Sequence, residues 1–355
     1  MKKILLTTIC LLVFYVFTYS QIRTVSNALN SPGQYHSLQT AIDSANTGDT
    51  IYVHAGSYGG ITVNKKLTFI GPGFNAQGQF TTSASISIIY LDRVVPTTTA
   101  TGSKFIGLDI GYINTKPSEQ FQIDSILINR CRFTSNAYTQ VLGNNWTFIN
   151  NLFQWQNAPS GSLFINNYNN ILLENNIFTS AAGTIQIQNS NKSTVFFINN
   201  LFTGHYDLAA EFTLLSNANF SNNIFFGKSP ASAVNCDFAN NIIYGNLTFT
   251  QLQNGSNGIY NIFSDPQFNS VPIDNSMYQF SYSNDYRLKS TSPGKGAGTD
   301  ATDIGIFGGQ YPMPLNNNKI TGEPPIPQIY YMFIQNSVID PSTPLNVTIK
   351  ARKMN

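Results

Sequence analysis

Between Ile128 and Phe263 the chain repeats one short pattern of apolar and polar positions. An apolar residue, a variable residue, two asparagines and two more apolar residues recur at Phe148–Phe153, Leu173–Phe178, Phe197–Phe202, Phe220–Phe225 and Phe238–Ile243, and more weakly at Gly258–Phe263. An earlier copy ending at Phe133 carries Arg130 and Cys131 in place of the asparagines. Successive copies lie 18 to 25 residues apart, counted between their last positions. A unit that short cannot bury its own apolar face and must stack on copies of itself. The pattern predicts a solenoid.

Within one unit, Ile171–Glu174 reads as a strand, Asn175 and Asn176 as a corner, and Ile177–Thr179 as a second strand. A variable loop follows at Ser180–Gly183, and Thr184–Gln188 reads as a third strand. Strict alternation there turns Ile185 and Ile187 inward and Gln186 and Gln188 outward. Three short strands per turn, each paired in parallel with the next turn, make an all-β parallel β-helix of ten or eleven coils. The asparagines suit sharp corners, because Asn tolerates unusual backbone angles and its amide both donates and accepts. Stacked in register, such amides form a ladder from coil to coil. They read as structural posts rather than as a binding strip. Phe153, Phe178, Phe202 and Phe225 read likewise as one stacked core column.

The flanks complete the outline. Residues 21–36 form an extended lead-in. Ser37 is placed as an N-cap before Leu38, Ala41, Ile42 and Ala45 at helical spacing, with Gly48 as the stop. This short helix would cover the exposed end of the stack. Short β-branched runs bounded by glycine follow at Gly48–Val53, Gly56–Val63 and Lys66–Gly71. The passage from Ser37 to Gly73 resembles the opening of pectin-lyase-like right-handed parallel β-helix proteins, with their "GDTI-V-G-Y" and "K-L-T-I-G-G" coils. Residues 74–104 read as a longer loop or irregular coils, and Lys104–Ile110 re-enters the stack. The runs Ser264–Phe268, Asp285–Leu288 and Ser292–Gly298 resemble the closing segment of many secreted bacterial β-helix proteins, in which tight turns finish the last coils. The resemblance implies the right-handed fold with an N-terminal capping helix. It implies little about chemistry, since lyases, esterases and proteins without known activity share it.

The expected domain plan is a signal peptide over 1–20, a β-helix over 21–311, a Pro- and Asn-rich linker over 312–327 and a C-terminal β-hairpin over 328–355. That hairpin either covers the far end of the stack or faces outward as a sorting or attachment element. Lys2 and Lys3, the apolar run from Ile4 to Phe17 and the small Ser20 have the layout of a secretory signal, and the run is too short to span a bilayer. A secreted, periplasmic or cell-surface location follows, with no membrane insertion after cleavage. Removing Lys2 and Lys3 leaves 19 − 2 = 17 basic against 17 acidic residues. A neutral chain with 10% charged residues excludes nucleic acid as a partner. A monomer is expected. Cys131 and Cys236 lie five coils apart in this register, about 24 Å, too far for a disulfide. Both are expected as buried free thiols.

Candidate chemistry is sparse. Gly71–Ala76 formally fits G-x-G-x-x-A, but no helical periodicity follows to receive a phosphate. Zinc and serine-hydrolase motifs are missing. The resemblance implies that substrate lies along the outer face of the strand after the variable loop. On this chain that face would show Gln140, Phe164, Gln186, Glu211 or Thr213, and Thr248. Acid, base and imidazole converge at His205, Tyr206, Asp207 and Glu211, a set able to move a proton to or from a sugar. His205, Asp207 and Glu211 are the catalytic candidates; Trp155, Phe164, Gln186 and Tyr206 are the substrate-binding ones. Trp155 would lie about two coils, roughly 10 Å, from His205 and offers a ring for stacking.

Against the polygalacturonase-like pattern, Gly204 and His205 are present but the Asp-Asp pair is not. The base and calcium cage of pectate-lyase-like sites, the Lys and Arg bases of chondroitinase-B-like lyases and the Asp, Asp and Arg of pectin-esterase-like sites are not traceable either. Arg130 and Arg132, with Asp124 the nearest acid, form the basic pair of the middle coils. No cofactor is expected, with calcium entering only if the protein is a lyase. Three readings stand: a polysaccharide-binding surface protein, a lyase or glycoside hydrolase with a divergent site, and a structural or adhesive spacer.

Overall fold

The computed structural model describes residues 20–29, 31, 33–75, 83–94, 98–115, 121–134, 138–155, 162–165, 168–180, 186–189, 194–205, 215–228, 230, 232–245, 254–272, 277–278, 280–335 and 345–353. The expected signal segment lies outside them, Ser20 apart. Each turn of the chain contributes a strand to sheet A, crosses the paired-asparagine corner, and contributes a strand to sheet B. Sheet A holds eleven parallel strands, from Ile22–Val25 to Asn257–Ile259. Sheet B stacks strands from Gly56–Tyr58 to Ile242–Tyr244 in parallel. Sheet C, formed after the variable loops, consists of Tyr138–Val141, Ser162–Ile165 and Gln186–Asn189. The result is a right-handed parallel β-helix of about 7 turns. Ten or eleven coils were expected; sheet A reaches eleven strands, although the solenoid makes about 7 turns.

Inward side chains stack rung on rung. Phe153 lies 4.7 Å from Phe178 with rings 5° from parallel, and Phe197 lies 4.5 Å from Phe220 at the same angle. These spacings match the distance between paired strands, so identical residues in parallel register meet face to face. Each such pair adds about 0.5–1.5 kcal/mol beyond burial. Leu163, Ile165 and Ile187 close the core from sheet C; Ile185 lies outside the described residues. At the N-terminal end the helix Leu38–Ser44 is capped by Ser37, whose Oγ accepts from the Thr40 N–H, and buries Leu38, Ala41 and Ile42.

Two corners turn the chain, and both use left-handed backbone. At the first, Asn150, Asn175, Asn199, Asn222 and Asn240 have φ of 53–59°. At the second, just before four of the sheet A strands, Asn145, Asn170, Asn217 and Asn235 have φ of 50–59°. Asn occupies this region at lower cost than other side chains with a Cβ, which is why it recurs here.

The C-terminal part departs from expectation. Residues 294–323 do not finish the last coils; they run back along the first corner toward the early windings. Asn240 donates to Ala297 O, Asn222 to Thr299, Asn199 to Gly305 O, Asn175 to Gly308 O and Asn150 to Tyr311 O, in that order. Gly322 then reaches Phe74, and Arg130 donates to Glu323 O. This strap covers a second apolar column, the outward-facing Leu152, Ile177, Leu201, Ile224 and Ile242, with Ile304, Ile306 and Met313. Gly305 crosses Ile224 so closely, at φ +93°, that a Cβ would fall 2.5 Å from its Cδ1.

The segment expected as a linker is therefore largely packed: Met313, Asn316, Ile320, Thr321 and Glu323 are buried, and Leu315–Asn316 pairs with Lys319–Ile320. The hairpin follows, pairing Pro327–Ile334 with Val347–Lys353. It leaves the strap beside the early windings, so it does not cover the far end of the stack as one reading expected. Its described apolar side chains Phe333, Ile334, Val347 and Ile349 are exposed, as are Ile259, Tyr260 and Phe263 on the last winding. The physical reason is the strap, which carries the chain back before the hairpin begins.

Candidate functional site

Sheet C carries the face on which the resemblance implied substrate. Alternation buries Thr139, Val141, Leu163, Ile165 and Ile187 and turns Gln140 and Phe164 outward, both half-buried. The register pairs Gln140 with Phe164 and Phe164 with Gln188. Gln186, expected beside Phe164, instead pairs with Ser162. The row shifts by two residues because the preceding loops differ in length. The side chains of Gln186 and Gln188 lie outside the described residues.

Trp155 and His205 sit at the ends of strands of sheet B. Trp155 closes the strand Leu152–Trp155 and registers with Ser180, which registers with Gly204. Two rungs, about 10 Å, separate Trp155 from the position before His205. His205 closes the strand Leu201–His205, and its backbone pairs antiparallel with Met277. The side chains of Trp155 and His205, and all of Tyr206, Asp207 and Glu211, lie outside the described residues.

The basic pair of the middle coils is divided between two partners. Arg130 stands at the corner position of the first asparagine, with φ +54°, and donates to Glu323 O at 2.8 Å. Burial pulls its pKa down, and the charge of Glu323 opposes this. Arg132, two residues on, opens the next strand and grips both oxygens of Asp109, Nε at 2.7 Å and Nη2 at 2.6 Å. Ser83 also donates to Asp109, and Arg132 reaches the Tyr282 hydroxyl at 3.3 Å. Burial raises the Tyr282 hydroxyl pKa against the pull of Arg132. Asp124 pairs with neither arginine; it accepts from Gln122 and from the Asn144 N–H. The Asp109–Arg132–Tyr282 set fastens residues 280–288 to the outer face of sheet B. A base for proton abstraction needs a free lone pair, and a guanidinium held in a bidentate pair has none to give.

Residues 268–272, 277–278 and 280–288 continue that cover. Phe226 packs edge-on against Tyr278 at 4.7 Å and Phe268 at 5.1 Å, and Thr203 donates to Tyr278 O. The outer face of sheet B is thus occupied by the chain itself in its later rungs. Among the described residues no three His, Cys, Asp or Glu side chains stand close enough to hold a metal ion.

The chain is, by its sheets and corners, a parallel β-helix whose sheet B is roofed by its own C-terminal strap. No family model matches the sequence, and no curated protein matches it. Among solved structures it is similar to the pectin methylesterase from Aspergillus niger in a penultimately deglycosylated form. That likeness has 13% identity, covers 67% of this chain and 90% of that one, and has a TM-score of 0.35. At that level it carries no argument about activity.

Proposed function

We propose that this protein is a secreted or cell-surface β-helix that binds polysaccharide along the outer face of sheet C. The observation that supports this reading is Phe164, an aromatic ring turned outward in register between Gln140 and Gln188. A ring face stacks on the apolar side of a sugar, and the Gln140 amide one rung away supplies donors and an acceptor for its hydroxyls. Rungs spaced about 4.8 Å apart repeat such contacts along an extended chain. Cleavage after Ser20 and a monomeric state belong to this reading.

The test is affinity electrophoresis against a panel of neutral and uronic-acid polysaccharides, followed by titration of the best binder. Phe164→Ala is expected to weaken binding at least tenfold with an unchanged unfolding midpoint. Retention of full affinity in that variant overturns the assignment to sheet C. Release of reducing ends or of unsaturated uronates, lost in Glu211→Gln, would replace binding by catalysis.

A further inference from the structure

Sheet A bears a separate groove on its own outer face, one corner away from sheet C. Its outward positions form two rows in register. One runs Leu172, Phe196, Asn219, Asp237, Asn257; the other runs Ile198, Ser221, Ala239, Ile259. Side-chain size falls from Phe196 and Ile198 to Ser221 and Ala239, then rises at Ile259. The small residues make a hollow of about 340 Å³ walled by Phe196 at one end and Ile259 at the other. Its floor is the backbone of the middle row, where Gly258 follows Phe220 and Phe238. The hollow spans the rungs from Phe196 to Asn257, three steps or about 14 Å.

The lining has a definite chemistry. Phe196 presents a partly exposed ring. Asn219, Asp237 and Asn257 follow it at successive rungs, with Asn257 donating to Asp237 at 3.3 Å. Ser221 adds a hydroxyl across the hollow. Asp237 is exposed, and among the described residues no cationic side chain lines the groove. A stacking ring followed by carboxylate and amide groups that pair with vicinal hydroxyls recognises a sugar, and an unneutralised carboxylate disfavours an anionic one. These positions break the apolar trend of the same row at Leu172 and Phe196, and no core or corner contact requires them to be polar.

We infer that the outer face of sheet A between Phe196 and Ile259 is a second binding site, for a short stretch of neutral oligosaccharide. It does not depend on the sheet C reading, because its residues belong to a different sheet.

Isothermal titration with cellotetraose, xylotetraose, mannotetraose and tetragalacturonate tests it on the full chain, together with Phe196→Ala, Asp237→Lys and Phe164→Ala. The expected result is binding of at least one neutral tetrasaccharide that Phe196→Ala reduces tenfold or more, also in a background that carries Phe164→Ala. Tetragalacturonate is expected to bind more weakly than that neutral sugar, and to gain relative to it in Asp237→Lys. Neutral binding that survives Phe196→Ala in a variant of unchanged melting temperature overturns the inference. So does absence of any neutral binding at millimolar sugar, preference for tetragalacturonate in the parent protein, or loss only in Phe164→Ala, which would leave sheet C as the sole site. Binding of an unrelated tetrapeptide as tightly as the sugar also overturns it.

Discussion

Asn199 and Asn200 are adjacent in the chain and serve opposite sides of the same corner. Asn199, at φ +55°, points outward and donates to Asp303 O at 3.2 Å and Gly305 O at 3.1 Å, holding the strap. Asn200 points inward. It donates to Leu173 O at 2.8 Å and Asn223 Oδ1 at 2.9 Å, and its own Oδ1 accepts from the backbone and side chain of Asn176. The same pattern continues from Asn151 through Asn176, Asn200, Asn223 and Asn241 to Asn261. One dipeptide thus carries two devices: an internal chain of amides that joins windings, and an external rail that docks the C-terminal segment.

The two devices fail differently. Asn200→Ala leaves buried donors on Asn176 and buried acceptors on Leu173 and Asn223, and is expected to cost about 1–3 kcal/mol. Asn199→Gly keeps the left-handed corner accessible and loses the bonds to the strap. Urea unfolding should show the midpoint falling for Asn200→Ala, while limited proteolysis of Asn199→Gly shows earlier cleavage within 294–323 with a smaller change in midpoint. Equal behaviour of the two variants would contradict this division.

The strap's apolar contacts can be tested at Ile306, which is buried against the column Leu152, Ile177, Leu201, Ile224 and Ile242. Ile306→Ala is expected to cost about 2–4 kcal/mol from lost burial and the cavity left behind. Truncation before Ser292 would bare the whole column, and dye binding to exposed apolar surface should rise sharply. A truncated chain that stays monomeric and binds no dye would show that the strap is dispensable.

Much of this was legible in the residues. The period, the corner, the inward Phe column and the capping helix all follow from alternation and from what Asn and Gly tolerate. The roof over sheet B was also written in the chain. Leu152 and Phe153, Ile177 and Phe178, and Leu201 and Phe202 are consecutive apolar pairs in strands, and such pairs face both sides of a sheet, so an outer layer must cover one of them. What supplies that layer was not legible, because Asn-Asn reads the same whether it stacks inward or docks a distant segment. The register of sheet C failed for a different reason. Position counting runs through loops of unequal length, and a two-residue slip preserves alternation while moving Gln188, not Gln186, beside Phe164.

The thiols offer a check on the stacking register. Cys131 occupies the place of an inward asparagine, its N–H donating to Asn151 Oδ1, and Cys236 lies at the other corner; both are buried and free. Burial pushes the Cys131 thiol up to about 12 and the Cys236 thiol up to about 11. Neither should react with a thiol reagent in the native protein at neutral pH, and both should react once unfolded. Folded pKa values above the unfolded one give a contribution that is complete below about 8.5 and is lost as pH rises through 11–12. Replacing both by Ala should flatten the fall in stability over that alkaline window.

Glu174 should show the acid counterpart. Its carboxylate ends a sheet A strand beneath the strap, and burial is the main force raising its pKa; Asp300 adds to this, while the Gln310 N–H opposes it. The folded pKa therefore lies above the unfolded value of about 4.3, so the folded state holds the proton more tightly. Its stabilising share is complete below the unfolded pKa and disappears as pH rises through the folded one. Asp285 and Asp49 act in the opposite sense. The Arg287 guanidinium chiefly holds Asp285 low, and Asp49 is held low, against its burial, by the Gln21 and Asn46 N–H groups and Arg23. Their stabilising shares are present above the unfolded pKa and are lost only below it, as pH falls through their folded pKa values. The range between about pH 4.3 and neutrality isolates Glu174 from both. Glu174→Gln keeps an acceptor for Gln310 and removes the buried charge, so it should unfold at higher urea than the parent at pH 7. The two proteins should converge near pH 4.5. A parent curve that loses stability on mild acidification, or a variant weaker than the parent at pH 7, would mean that the charge beneath the strap is compensated by contacts other than these.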